Sequence, residues 1–303
     1  MILLLLSLAV QRPSQQPADL LRALDSPDWQ VRSSAIHELN DLPVANLPPG
    51  FAAKAIALLE REAVDSAPGP KPEGGEGYGE YLIELMEGVV RLRDPRSLRG
   101  MALLGVQMSR EAQEFVAEQG ATVLPFLDEA WRNPNARASV AVTWAYMLTT
   151  YSARLSRNDR LEVVRRVLEA HAIDTQSFLF AVDDAQLVIA IPLIEHVATR
   201  GEIDIVRDDA RRSATRLKAT RDSMSPAALL SQLSEALDAL CLSACAERAT
   251  ACASLSTTLR GSSADSLVTF ARRVDSGFLR RVWSDDERRV LSISARYVAT
   301  RLH

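Results

Sequence analysis

Helix starts punctuate this chain at short intervals, and that spacing limits what it can fold into more than any other feature. Four times, a residue able to accept from free backbone amides is followed at once by proline: Ser26-Pro27, Asp94-Pro95, Asn133-Pro134 and Ser225-Pro226. The side-chain oxygen satisfies an amide with no intrahelical partner, and proline lacks an N–H that the first turn could not use anyway. A fifth start at Ser284 carries Glu287 three residues on, the reciprocal spacing of a capping box. It precedes an apolar face read as Val290, Ile293 and Tyr297, in a helix that should run nearly to residue 303. Between the starts, apolar residues recur with helical period and no run alternates with period two. The chain therefore reads as all-α, in helices of about 10 to 17 residues joined by short connections.

Helices of that length cannot cover their own apolar stripes. A short helix around Leu20, Leu21 and Leu24 meets a turn at 25–28, and the next helix sets Val31, Ala35, Leu39 and Leu42 on one face. Further stripes follow at Leu82, Leu85, Met86 and Val89, at Val123, Leu127, Ala130 and Trp131 after Gly120, and at Val140, Trp144 and Leu148. Hairpins that need stacked neighbours to bury such stripes form solenoids. The Pro- and Gly-rich stretch 66–79 reads as a loop inside one hairpin; Gly74, Gly75, Gly77 and Gly79 lack the Lys-Ser/Thr of a phosphate cradle. Pro192 interrupts the helical pattern between Phe178 and Val197, which predicts a kinked or broken helix. A break at 221–225 sets off a tail rich in Ala, Ser and Thr. The resulting organisation is a leader at 1–16, a helical repeat domain at 17–221 and a C-terminal helical module at 222–303, in keeping with about two domains for 303 residues.

The segment LLRALDSPDWQVRSSAIHEL, with Asp28, Val31, Arg32 and Ala35 after a proline turn, resembles a HEAT repeat. RLRDPRSLRGMALLG, from Arg91 to Gly105, resembles the turn between successive HEAT hairpins, and the likeness is clearest over 17–151. The resemblance implies an α-solenoid of stacked hairpins whose usual business is protein binding. It also implies that Asp28 and Arg32 tie adjacent repeats together. HEAT-like folds include DNA glycosylases, which use a basic groove and an acid beside aromatics, and phycobilin lyases; for the former, Trp131 and Trp144 are the aromatic candidates.

Charge and site chemistry narrow the functions. With 47% hydrophobic and 24% charged residues the chain is a folding one, and a net charge of -4 gives no global attraction to nucleic acid. Arg207, Arg211, Lys218 and Arg221, spaced i, i+4, i+11 and i+14 beside Val206, Ala210 and Leu217, form a candidate contact stripe for an anionic partner. The doublets Arg272-Arg273, Arg280-Arg281 and Arg288-Arg289 drift by about 80° per eight residues and make no stripe on a helix. His37, His171, His196 and His303 form no zinc motif, and no Gly-x-Ser-x-Gly turn is present. Cys241, Cys245 and Cys252, at i, i+4 and i+11, read as small inert core residues on one helical face. The pairs Asp183-Asp184, Asp208-Asp209 and Asp285-Asp286 lack any calcium-loop pattern.

The expectation is a scaffold with no catalytic residue, cofactor or metal, which binds another protein and not nucleic acid. The apolar run Ile2–Val10 and the polar stretch 11–17 read as a secretory signal, too short to span a bilayer. That implies a secreted or periplasmic protein; a cytoplasmic one is the alternative, with the run packed as a strap. Arginine outnumbers lysine 32 to 3, which points to a GC-rich bacterial genome.

Overall fold

The structure, a computed structural model, describes residues 16–65, 77–104, 109–134, 136–149, 151–170, 176–201, 203–242, 246–276, 279–281 and 283–302. The leader reading, His171, Cys245, His303 and most of the Pro/Gly-rich stretch lie outside these residues. Among the described residues there are sixteen α-helices, several short 3-10 turns and no strand. The chain divides into two compact units, Met1–Ala112 and Gln113–His303.

The first unit contains α1 (Pro17–Ala23), α2 (Trp29–Asn40), α3 (Phe51–Asp65), α4 (Tyr78–Val90) and α5 (Leu98–Leu103). Helix α1 packs on α2, α2 on α4, and α3 on both α4 and α5. Alternate helices thus lie side by side, α2 with α4 and α3 with α5. The stripe Leu82, Leu85, Met86 and Val89 is buried as its spacing predicts. On α2 the buried face is Arg32, Ala35, Ile36 and Leu39, whereas Val31 is 42% exposed. Ala35 and Leu39 thus face inward as the apolar pattern suggests, while Arg32 and Ile36 take the place it gives to Val31. Helix α2 starts at Trp29 and is capped by Asp28, whose Oδ1 accepts from Gln30 N at 2.9 Å. Ser26, two residues earlier, instead accepts from the Asp28 amide. At Asp94-Pro95 the expected chemistry holds: Asp94 caps a 3-10 turn that runs into α5. Gly88 permits the close approach of α2 and α4, because a Cβ there would sit 2.4 Å from Asn40 Oδ1.

Helix α6 (Arg110–Glu118) spans the division between the units. The second unit continues with α7 (Leu124–Trp131), α8 (Arg137–Met147), α9 (Arg157–Glu169), α10 (Gln176–Asp184), α11 (Ile191–Arg200) and α12 (Asp204–Ser223). It ends with α13 (Pro226–Cys241), α14 (Ala246–Arg260), α15 (Ala264–Val274) and α16 (Asp285–Arg301). Helix α8 begins three residues beyond Asn133-Pro134, so that pair sits in the preceding turn and is not the cap of α8. Gly120 takes φ +61°, a conformation an L side chain resists, at the turn before α7. The helical pattern around Pro192 is broken rather than kinked: α10 ends at Asp184, a 3-10 turn covers Val188–Ala190, and Pro192 lies in the first turn of α11.

Residues beyond 222 pack into the second unit. Helix α13 lies on α9 and α14, and α16 lies on α11, α13 and α15. Ser225 caps α13, and Ser284 with Glu287 forms the capping box of α16. The buried face of α16 includes Val290, Leu291, Ala295 and Val298; Ile293, assigned to that face by the sequence pattern, is 43% exposed.

Candidate functional site

The basic stripe lies along α12, whose inward face is Val206, Ala210 and Leu217 as read from the sequence. Each of its four cations has an acid partner. Arg207 pairs with Asp204 and Arg211 with Asp208, one turn back on the same helix. Lys218 Nζ reaches Glu195 of α11 at 2.6 Å, and Arg221 reaches Asp222 at 3.2 Å. Exposed pairs of this kind contribute about 0–1 kcal/mol each, but they cancel charge along the stripe.

The C-terminal end of the stripe opens onto a shallow groove formed by α11, α12, α13 and α16. Its floor is apolar, with Ile189, Ile191, Leu229 and Val298 among the lining, and Ile293 stands at its edge. The Arg221 guanidinium stacks 3.6 Å from the centroid of the Tyr297 ring, a cation–π contact between two lining residues. The Tyr297 hydroxyl donates to Asp222 Oδ1 at 2.5 Å and holds that carboxyl below its ordinary range, with Arg221 adding to the effect. Gln232 also lines the groove. Its Nε2 donates to the carbonyl of Gln186 at 3.1 Å, which fixes the amide orientation and leaves Oε1 buried without a donor. Gln186 is itself in the left-handed region at φ +50°, so the backbone is bent to present that carbonyl.

A second hollow lies among Leu168, Leu193, Leu240 and Val290, with Glu169 and Glu287 at its wall. Each carboxylate is bridged by arginine, Glu169 by Arg165 and Glu287 by Arg248. Of the acidic pairs singled out in the sequence, Asp183 bonds Arg216, Asp209 bonds Arg212 and Gln176, Asp285 bonds Arg288, and Asp286 bonds Arg289. Among the described residues no three His, Cys, Asp or Glu side chains gather as a metal site, and no helix is long and apolar enough to cross a membrane. His37 Nδ1 lies 3.0 Å from Glu84, which raises its pKa, and His196 Nδ1 accepts from Arg289 at 2.7 Å. Trp144 is fully buried and packs on Trp131 at 4.9 Å between ring centroids.

The cysteine reading needs correction. Cys241 and Cys252 form a disulfide that joins the end of α13 to α14, with Cα atoms 6.0 Å apart. A spacing of eleven reads as one helical face only if the helix is continuous. Here α13 ends at Cys241 and a new helix brings Cys252 back toward it.

A buried polar cluster surrounds Arg32, whose partners Glu62, Tyr78 and Tyr81 the sequence reading did not name. Arg32 points inward and donates Nη2 to Glu62 Oε1 at 2.8 Å, Nε to the Tyr81 hydroxyl at 3.0 Å, and Nη1 to the carbonyls of Ser26 and Pro27 at 2.8 and 2.9 Å. Tyr78 donates to the other oxygen of Glu62 at 2.6 Å, and Trp29 packs edge-on against the Tyr78 ring. Burial, with the Glu62 charge, pushes Tyr81 up to about 12 and Tyr78 up as well. Arg32 thus joins α2 to α3 and α4, the role that the resemblance implies for it. Asp28 instead caps its own helix.

Comparison of the chain with family models, with curated proteins and with solved structures finds no match.

Proposed function

We propose that the chain is a non-catalytic scaffold built on HEAT-like stacked hairpins, which holds another protein and works outside the cytoplasm, in the periplasm or after secretion. The observation that carries this reading is the groove at α11, α12, α13 and α16. Its apolar floor, the partly exposed Ile293 and the orphan acceptor Gln232 Oε1 suit a protein segment that inserts an apolar side chain and donates a backbone N–H. The solenoid part of the reading is supported by the side-by-side packing of alternate helices in the first unit. Export is supported by the Cys241–Cys252 disulfide, since such bonds persist in oxidising compartments.

A photocrosslinking residue in place of Ile293 tests the scaffold, with Ile83 on the exposed side of α4 as the control position. A protein crosslinked at 293 and not at 83, and lost in Leu229→Asp, is the expected result. Equal crosslinking at both positions, or recovery of nucleic acid, overturns it. Thiol alkylation of fractionated cells tests export: the protein should resist alkylation at two cysteines until reduced, in the envelope fraction or the medium.

A further inference from the structure

Four helix ends of the second unit meet around the hollow walled by Leu168, Leu193, Leu240 and Val290, which has a volume of about 260 Å³. Helices α9 and α13 reach it by their last turns, through Leu168, Glu169 and Leu240. Helices α11 and α16 reach it by their N-terminal ends, through Leu193, Ser284 and Glu287. The four aliphatic wall residues are each 4% exposed or less, so the core continues up to the wall of the hollow. An apolar cavity of about 150 Å³ already accommodates a benzene-sized molecule, and this larger volume has room for a short aliphatic chain.

Side chains decide the head group. Two helix C-termini and two N-termini face the hollow, so the backbone dipoles offset one another. Among the described lining residues the charged side chains are both carboxylates, Glu169 and Glu287, and their partners Arg165, Arg166 and Arg248 are not part of the lining. Glu287 has a donor on each oxygen, Arg248 on Oε1 and the Ser284 N–H on Oε2 at 2.7 Å. Glu169 has a donor on one. Arg165 donates to Oε1 at 2.5 Å, whereas Arg166 Nη1 stands 3.6 Å from Oε2, beyond hydrogen-bond length. The Glu169 side chain is 38% exposed, which leaves it open to a molecule in the hollow. The ion pairs that run from these two carboxylates join Asp128, Glu162, Glu169 and Glu287 to Arg165, Arg166 and Arg248, with one acid in excess. Asp285 and Asp286 next to Glu287 are matched by Arg288 and Arg289, and Arg280 lines a separate hollow with Asp275. An anionic head would therefore meet two carboxylates and no cation on the wall, while an ammonium brings a charged donor to a charged acceptor.

We propose that this hollow binds a small aliphatic amine, with its chain against the four aliphatic walls and its ammonium donating to Glu169 Oε2. The site shares no described residue with the groove at α11, α12, α13 and α16, and it stands independently of the scaffold reading. A lysine side chain of a protein partner carries the same head group, so the probes separate the two sources. n-Hexylamine, n-hexanol, hexanoate and acetyl-lysine-methylamide are titrated into the full chain, and binding is followed by calorimetry and by NMR of the Leu and Val methyls.

Hexylamine should shift the methyls of Leu168, Leu193, Leu240 and Val290 saturably and leave those of Leu229, in the groove, in place. It should bind about tenfold more tightly than hexanol, with hexanoate weaker still. Glu169→Gln should remove the advantage over hexanol without changing the melting midpoint, and Glu80→Gln on the exposed side of α4 should not. Equal binding of hexylamine and hexanol, tighter binding of hexanoate, or an undiminished amine preference in Glu169→Gln overturns the amine site. Tighter binding of the lysine derivative than of hexylamine overturns the free amine in favour of a partner's lysine. Methyls that respond to no probe remove the hollow as a binding site and leave the crosslinking result at position 293 unaffected.

Discussion

Among the described residues two arginines are buried, one in each unit, and they are held in opposite ways. Arg32 has all three guanidinium nitrogens bonded, to a carboxylate that is itself 3% exposed, a tyrosine hydroxyl and two backbone carbonyls. Arg288 has one carboxylate, Asp285, whose side chain is 77% exposed, and it keeps a buried Nε–H without an acceptor. A buried charge that serves the fold has its donors spent inside the fold. Arg288 leaves one donor unbonded inside the fold, a cost that Arg32 does not carry.

The contrast can be broken from the side of Arg32. Arg32→Met strands the buried Glu62 carboxylate and should cost about 3–5 kcal/mol in denaturant unfolding, with part of the loss recovered in the double variant Arg32→Met/Glu62→Leu. The second unit has a covalent tie where the first has an ionic one. Cys252→Ser, which opens a bridge between residues eleven apart, should cost about 2–3 kcal/mol, and dithiothreitol should lower the midpoint of the native chain but not of the variant.

The ionic tie also responds to alkali. Tyr81 has a raised folded-state pKa, so the folded state keeps its proton where the unfolded chain has lost it. Its contribution is complete below pH 10 and is lost as pH rises from 10 to about 12. Stability should fall over that window, and phenolate absorbance should show Tyr78 and Tyr81 titrating late, at the unfolding step. Removing the Ser284 cap with Ser284→Ala should cost about 1 kcal/mol. The smallest effect belongs to Arg288→Met, at under about 1 kcal/mol, because Asp285 is left in water rather than in the core. A loss as large as that of Arg32→Met would erase the distinction between the two arginines.

Local chemistry was the legible part of the sequence. Capping at Ser225 and Ser284, the role of Asp94-Pro95 and the break at Pro192 depend on residues within one turn of each other, and all are present. Faces were less legible. Val31 and Ile293 carry apolar side chains at helical spacing and yet stand outside, because the rotation of a helix is set by what it packs on. On α2 the inward position went to Arg32, since Glu62 and Tyr81 come from helices that begin 22 and 49 residues after Trp29. Only its place in the repeat-like segment singled out that arginine; its partners are out of local reach. The same holds for the disulfide, which depends on a chain reversal between helices. The stripe on α12 could be read because it is one helix, but its partner Glu195 could not, since it belongs to the preceding element.

The bond between Cys241 and Cys252 closes a ring around the connection between α13 and α14. A protease that cuts within this ring severs the peptide chain without separating the pieces. The nicked protein should run at full length on a non-reducing gel and fall into two bands, of about 240 and 60 residues, only when the sulfurs are reduced.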